Sequence, residues 1–444
     1  MGKRSVAAAP AAFAASAGQI EWAFGGQGAA NTRNQPDQTK LNVTNASQLA
    51  VKWSATLHGD VSATPSVTGG VVYVPEWGVQ VNGVPAAGSA GGGYLNAINE
   101  STGSILWSKK LADYPGEVVG AVSRTSPAVV DGVIYIGDQT GNVLAIDAKT
   151  GALNWMTNID PTQPAGLALV TQSPMVYGGV VFVGTGSNQE GAAADPNYPC
   201  CTHRGSFSAL NATTGAILWT FYTEPPNAGP APQDAGGGVW GSTAAIDPSS
   251  GTVYIGTGND YSTTAAAQAC HVKAVADSNP AEECVDAGDY HDSIIALDMA
   301  TGKPRWITGP QLLTVTDPKS GKKYSAVGIG EKSGDYWLLD ATTGQVKWVT
   351  RVASGSSLGG IEWGSSTDGQ RIYVNSSDNG QQGFAGRFTA LDPATGSKVW
   401  DIPDPNGTHF HLGPTSVSNG VMFAGSMDGY MYALNAATGQ VLWK

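Results

Sequence analysis

An all-β propeller is the fold class that the sequence predicts, on three observations. The first is a segment repeated seven times: LNAINESTGSILW ending at Trp107, LAIDAKTGALNW at Trp155, SALNATTGAILW at Trp219, IALDMATGKPRW at Trp306, LLDATTGQVKW at Trp348, ALDPATGSKVW at Trp400 and ALNAATGQVLW at Trp443. The second is spacing. Counted from Trp53, these tryptophans recur after 54, 48, 64, 87, 42, 52 and 43 residues. The shorter intervals match the period of about 40–50 residues of a four-stranded propeller blade. The third is composition: 60 glycines in 444 residues, but only 13% charged residues, against about 25% in typical domains. That suits many tight turns between short strands and leaves little material for long helices.

Each copy reads as an apolar strand, an Asp or Asn, a Thr-Gly turn, and a Trp four residues after the Gly. The Asp or Asn caps the turn, the Gly takes a positive φ, and the Trp opens the next strand. Between copies lie further strands joined by Asp-Gly or Gly-Gly, as in SPAVV-DG-VIYIGD and SPMVY-GG-VVFVGTG, both hairpin signals. Thr-Gly turns also decorate β-sandwiches and tryptophan is commonly mere core, but seven copies in register favour the propeller. Each repeat Trp is therefore first a structural residue, packing blade to blade. LAVKW, ending at Trp53, reads as the outer strand of one more blade, so the spacing predicts an eight-bladed ring whose last blade is incomplete in this chain. The intervals of 64 and 87 hold loop insertions, one of them a polar excursion around 262–290 closed by Cys270 and Cys284. A single domain over 20–444 follows.

Residues 1–19, MGKRSVAAAPAAFAASAGQ, have a short basic head, an Ala-rich stretch and small residues before Gln19. A secretory signal cut near Ala17 and a flexible leader both fit. No other apolar run reaches 18 residues, so no membrane span is expected. A net charge of −12, with Lys and Arg scattered singly, excludes a basic nucleic-acid surface. Four cysteines, an even number, fit an oxidising compartment, and no CxxC or CxxCH motif encodes a zinc ribbon or a c-type haem attachment. Cys200 and Cys201 are neighbours. From the residues alone three readings stay open: chance juxtaposition, a metal clip, or a rigid wall beside a bound group. The clip is the weakest, since only His203 stands near enough in sequence to extend a tetrahedral set.

The repeat A/L-x-D/N-x-x-T-G-x-x-x-W resembles the tryptophan-docking motif of PQQ-dependent quinoprotein alcohol dehydrogenases. Over residues 20–444 the chain is most similar to the polyvinyl-alcohol-dehydrogenase-like members. The resemblance implies a quinoprotein-type, eight-bladed propeller with pyrroloquinoline quinone (PQQ) and Ca²⁺ on its axis. It implies oxidation of a secondary or polymeric alcohol such as polyvinyl alcohol, with electrons passed to an external acceptor such as a cytochrome c. It also implies a periplasmic or secreted location.

Local motifs carry the implied site residue by residue. GGGVWGSTAAIDP resembles the stretch whose Trp forms the floor under the quinone, which assigns that place to Trp240. A flat tricyclic ring gains from a large aromatic face, and Trp240 lies outside the docking register. VGTGSNQEG and YIGTGNDYS resemble the stretches that supply a carboxylate and an amide ligand to Ca²⁺, matching Glu190 and Asn259. Ca²⁺ takes hard oxygen donors, and oxygens of the cofactor would complete the set. Without these flanks the same residues would be a solvated loop acid and a turn residue. Arg124 in SRTSP, Thr171 in TQSP and Lys332 in GEKSG resemble positions that hold the quinone's carboxylates and ortho-quinone oxygens. Positive charge there favours the reduced, anionic quinone. Glu362 and Trp363 in GGIEWGSS lie where a late blade faces the axis. In quinoproteins a vicinal disulfide covers the quinone face opposite the tryptophan. The resemblance gives that place to Cys200 and Cys201, here after the Glu190 loop rather than in an earlier blade.

The chain departs from the family at its general base, an Asp in a long loop after the docking Trp of the middle repeat. KPRW, ending at Trp306, and GPQLLTV, starting at Gly309, are separated only by Ile307 and Thr308. The Asp-bearing stretch is therefore expected to be missing. Asp292, beside His291 in YHDSIIALD, is the nearest alternative carboxylate, and as a residue opening a strand its default reading is structural. Alcohol oxidation is the expected activity. The alternatives are a quinone-binding propeller without turnover and a scaffold propeller of the kind used in outer-membrane assembly. A scaffold needs no axial constellation, so Trp240, Glu190, Asn259 and Arg124 argue against it.

Overall fold

A computed structural model describes residues 21–444 except 79, 82–83, 86–90, 162–166, 194, 196, 227–232, 242, 277–283, 308–311, 317–322, 356–358, 379–384 and 408. The leader expected at 1–19 and the junction at Thr308–Gly309 lie outside the described residues. Besides two short two-stranded ribbons, seven larger antiparallel sheets among the described residues span 66–110, 128–158, 175–222, 245–307, 312–351, 366–403 and 416–443. Each runs four strands in chain order, and the third carries an extra two-residue strand at Ala168–Leu169. They are called blades 1 to 7 here. First strands of neighbouring blades touch one another, for example Ser66–Thr68 with Ala128–Val130 and Ser366–Thr367 with Ser416–Ser418, so these strands line the axis. The fold is a β-propeller.

The repeat works as its residues suggest. In blade 2, Asp147 Oδ1 accepts the N–H groups of Lys149 (3.1 Å) and Thr150 (2.8 Å), and Gly151 closes the turn at φ 70°. The Trp of each blade then docks on the turn of the next. Trp107 donates its indole N–H to Ala148 O, Trp155 to Ala212 O, Trp219 to Met299 O, Trp306 to Ala341 O, Trp348 to Pro393 O and Trp400 to Ala436 O. The acceptor is always the residue after the turn's Asp or Asn. The turn glycine is needed a second time, because a Cβ at Gly302 would stand 2.5 Å from the Trp219 ring. A buried tyrosine from the second strand often shares the docking carbonyl: Tyr73, Tyr135 and Tyr254 donate to Ala148 O, Ala212 O and Ala341 O. Residues 49–53 form no strand, yet Trp53 docks on blade 1 in the same way, donating to Glu100 O at 2.8 Å. The expected eighth blade thus goes beyond the seven sheets described. The excursion in blade 4 contains a helix, Ala265–Ala276, and the Cys270–Cys284 disulfide.

Several turn aspartates sit below the ordinary carboxylate value of 3.8, among them Asp147, chiefly through the Thr150 hydroxyl and N–H, and Asp298, chiefly through Arg305. A folded-state value below the unfolded one gives stability above the unfolded value, lost as pH falls through the folded one. The melting temperature is therefore expected to drop as pH falls below about 4. In the double variant Asp147→Asn/Asp298→Asn this drop should shrink with little change at pH 7, since Asn serves naturally at Asn99, Asn211 and Asn435. An unaltered pH profile in a melting series would reject this role.

A segment near the start of the chain laces the ring together. Trp22 pairs with Val67 of blade 1, Val129 of blade 2 donates to Ala23 O, and Ile246 of blade 4 donates to Ala29 O. Thr367 of blade 6 donates to Thr32 O and Val417 of blade 7 to Arg33 O. Residues 22–33 therefore cross the axis from one side of the ring to the other.

Candidate functional site

The candidate residues occupy two kinds of loop. Arg124, Thr171, Trp240, Glu362 and Trp363 come just before the first strands that begin at 128, 175, 245 and 366. Glu190, Asn259 and Lys332 follow the second strands that end at 187, 256 and 330. First and second strands are antiparallel, so both kinds of loop open on the same end of the ring. Cys200 and Cys201 lie between the second and third strands of blade 3, and Asp292 precedes the third strand of blade 4, which brings them to that end as well.

Several of these residues meet. Val239 N–H donates to Thr185 O at 2.8 Å, which pins the Trp240 loop to blade 3. Glycines make room for the indole: a Cβ at Gly186 would come within 2.7 Å of the ring, and one at Gly258 within 3.0 Å of Nε1. A Cβ at Gly238 would meet both Trp240 Nε1 (2.6 Å) and Tyr261 Oη (3.1 Å), so these two polar atoms are neighbours. Cys200 and Cys201 are disulfide-bonded to each other, and Cys200 Sγ lies 3.7 Å from Tyr261 O. Tyr261 thereby links the cysteine pair to Trp240. On the other side, Lys332 Nζ stands 3.6 Å from Glu190 Oε1. Ile361 N–H donates to Glu331 O at 2.9 Å, clamping the Glu362–Trp363 loop against the Lys332 loop. A side chain at Gly360 (φ 75°) would strike Lys332 O. Trp363 approaches Gly241, next to Trp240, with a ring atom 3.1 Å from where a Cβ would be.

Electrostatics joins the same residues. Burial pushes the Glu362 carboxyl up, while Lys332 pulls it down and Glu190 adds repulsion. Burial also raises Asp292, opposed by His291 and Lys332. Asp292 sits at φ 42°, two residues before its strand begins at Ile294, and its N–H donates to Gly258 O. It is a turn residue and not the strand-opening residue that its sequence context suggested. Arg124 lies with its guanidinium 4.9 Å from the Trp77 ring, and burial lowers its pKa. Thr171 is buried. Asn259 is exposed and its amide nitrogen donates to Asp260 O at 2.9 Å.

Among the described residues, Arg124 Nε, Thr171 Oγ1, Trp240 Nε1, Tyr261 Oη and Glu362 Oε1 are buried without a hydrogen-bond partner. Buried polar atoms are ordinarily satisfied, so such a set at one end of the ring fits a bound polar group. A guanidinium, a hydroxyl and an ammonium suit carboxylate and quinone oxygens, and Glu190 with an amide suits a hard cation. Residues of the lacing segment pack against the loops that precede the first strands. Gly25 abuts Ser126 and Thr243, Asn31 Nδ2 donates to Thr243 O, and Arg33 donates Nη1–H to Gly25 O beside Gly364. Tyr261, Trp77 and this segment were not singled out from the sequence. Tyr261 lies only two residues past Asn259, but nothing local marks it, and the other two are through-space neighbours.

Residues 11–196 and 385–444 match the family described as "Outer membrane protein assembly factor BamB", and residues 159–352 match "Glucose/ethanol/alcohol dehydrogenase, beta-propeller domain". The chain is 29% identical to a polyvinylalcohol dehydrogenase from a Pseudomonas species, over 96% of this chain and 67% of that protein. It is also 29% identical to a polyvinylalcohol dehydrogenase from Sphingopyxis sp. (strain 113P3), over 91% of this chain and 64% of that protein. The chain thus spans about two thirds of the length of these relatives. The crystal structure of quinohemoprotein alcohol dehydrogenase from Comamonas testosteroni superposes with a TM-score of 0.73 at 22% identity, covering 96% of this chain and 72% of that one, which shows the shared fold. With the docking repeat running through the whole ring and relatives of one kind aligned along almost all of it, the chain belongs to the PQQ-dependent alcohol dehydrogenase family of β-propeller proteins.

Proposed function

We propose that this chain is the catalytic propeller of a PQQ- and Ca²⁺-dependent dehydrogenase that oxidises a secondary or polymeric alcohol such as polyvinyl alcohol. The observation that carries this reading is the set of unpartnered buried polar atoms of Arg124, Thr171, Trp240 and Glu362 on the same end of the ring as the Glu190–Lys332 pair. When bound, PQQ accepts the two electrons released by the alcohol. Glu190 and the amide oxygen of Asn259 would hold Ca²⁺. Arg124 and Thr171 would hold anionic oxygens of the cofactor, and Trp240 and the Cys200–Cys201 disulfide would exclude water from it. The Lys332 ammonium would supply positive charge beside Glu190 to favour the reduced cofactor. Asp292, whose affinity for protons burial raises, accepts the hydroxyl proton at its carboxylate, the role left vacant by the short stretch after Trp306.

An external acceptor such as a cytochrome c would then take up the electrons. A periplasmic or secreted location is supported by the signal-like start and the even cysteine number. No described helix is long and apolar enough to cross a membrane. The test is reconstitution with PQQ and CaCl₂, followed by dye reduction with 2-propanol, 2,4-pentanediol and polyvinyl alcohol. Turnover in the wild type and its loss in Asp292→Asn are expected. Cofactor binding without turnover would replace this reading with that of a quinone-binding propeller, and no binding would reject both.

A further inference from the structure

We propose that Glu224, Asp260 and Asp289 form a second site for a hard divalent cation of the Ca²⁺ type, separate from the Glu190–Asn259 pair. The short strand Asp260–Ser262 divides two environments. Successive strand residues point to opposite faces, so while Tyr261 reaches Trp240, Asp260 turns the other way. It faces the end of the outermost strand of blade 3, Ile217–Tyr222, and the loop before the third strand of blade 4. There His291 Nδ1 lies 3.1 Å from Asp260 Oδ2 and 2.7 Å from Asp289 Oδ1. One ligand atom from each of these three residues falls within 4.8 Å of the others.

Glu224 completes the group. Asp260 and Asp289 both come within side-chain hydrogen-bonding reach of its carboxylate. It is 1% exposed, and neither of its carboxylate oxygens has a hydrogen-bond partner among the described residues. Arg204 gives it a nearby positive charge but no hydrogen bond, because its Nε–H and Nη2–H go to the main-chain carbonyl of Glu224 at 3.1 and 2.7 Å. Gly237 presses close on the other side, where a Cβ would collide with Glu224 Oε1. A buried carboxylate whose oxygens lack a hydrogen-bond donor is costly and rarely kept unless something binds it.

Donor type decides what that something is. Three carboxylates converge on one place, and His291 Nδ1 contacts two of them. The donors there are carboxylate oxygens, which suit Ca²⁺. His291 Nδ1 bridges Asp289 and Asp260, and such hydrogen bonds orient ligating carboxylates. Tyr261 stands between this cluster and the cofactor residues and feels the charge of both Glu190 and Glu224. The cation would tie blade 3 to the Asn259–Tyr261 stretch and to the loop that follows the Cys270–Cys284 excursion. The competing arrangement is a proton on Glu224, shared with Asp260 or Asp289.

The experiment uses the full chain without PQQ, stripped of metal by EDTA and dialysed. In this state the Glu190–Asn259 pair lacks the ligands that the cofactor would add. Added CaCl₂ is expected to raise the melting temperature. Tb³⁺ should give emission sensitised by nearby tyrosines, displaced by Ca²⁺. Glu224→Gln should weaken Ca²⁺ binding at least tenfold and abolish the Tb³⁺ signal, whereas Glu190→Gln should keep it. The metal-free Glu224→Gln variant should melt above the metal-free wild type, because a buried repulsion is gone. If Glu224→Gln does not fold, Asp289→Asn carries the same comparison. A wild type whose melting temperature ignores Ca²⁺ would overturn the site in favour of the shared proton. A Tb³⁺ signal lost with Glu190→Gln and kept with Glu224→Gln would overturn it in favour of a single cation at Glu190. Neither outcome depends on alcohol oxidation.

Discussion

Replacing Lys332 by glutamine is expected to lower kcat with saturating PQQ by about 10²–10³-fold, the usual cost of losing one positioned group at a site of developing negative charge. The same change should leave folding almost untouched. Lys332 and Glu190 remain 46% and 36% exposed, and an ion pair that open to solvent contributes about 0–1 kcal/mol. The two loops that position Lys332 are held by main-chain bonds, Ile361 N–H to Glu331 O and Gly334 N–H to Glu331 O, which the substitution does not touch. The measurement is a pair of numbers, kcat from dye reduction and the midpoint of urea unfolding. A fall in both would make Lys332 a structural residue. A fall in neither would make it an ordinary surface lysine.

Trp219→Ala is expected to give the opposite pattern, a loss of about 3–5 kcal/mol of stability from a residue remote from the reacting groups. Trp219 packs its ring 6.0 Å from both Phe182 and Phe207 and covers Gly302 of the next blade. It also donates to Met299 O at 3.1 Å, so its removal leaves a cavity and an unpaired carbonyl at a blade junction. Gly302→Ala attacks the same junction from the other side, combining φ 66° with a collision against the ring. The two changes share one contact, and their combined cost should be less than additive. A loss below 1 kcal/mol for Trp219→Ala, read from urea unfolding, would show that docking does not hold the ring.

These two substitutions also mark how far the sequence could be read. The docking repeat was legible because its whole logic lies within about a dozen residues: the Asp147 turn, Gly151 and Trp155 are local, and period alone places them. Trp240, Lys332 and Glu190 were legible only through their flanks, since one Trp, one Lys and one Glu have no pattern of their own. The propeller then brings them together because each lies in a loop before a first strand or after a second strand. Tyr261, the Trp77–Arg124 contact and the carboxylates around Glu224 had no local sign. Glu224 and Asp289 belong to different strand ends, and only the closing of blade 3 against blade 4 makes them neighbours. Asp292 was read as the start of a strand from the apolar run behind it, but its left-handed backbone makes it the last residue of a turn.

The lacing segment sets a timetable for folding. Ser418 Oγ donates to Gln35 O across 383 residues of chain. At about 5–20 residues synthesised per second, the partners of that bond emerge roughly 20–80 s apart. During that interval Phe24, buried in the finished protein, and the open N–H and C=O groups of residues 22–33 have no final partners. Blades 1 and 2 can form from local hairpins, but the ring cannot be sealed until blade 7 arrives. Such long-range pairing makes closure the slow and aggregation-prone step. A chain folding after export, with both ends available at once, avoids that wait.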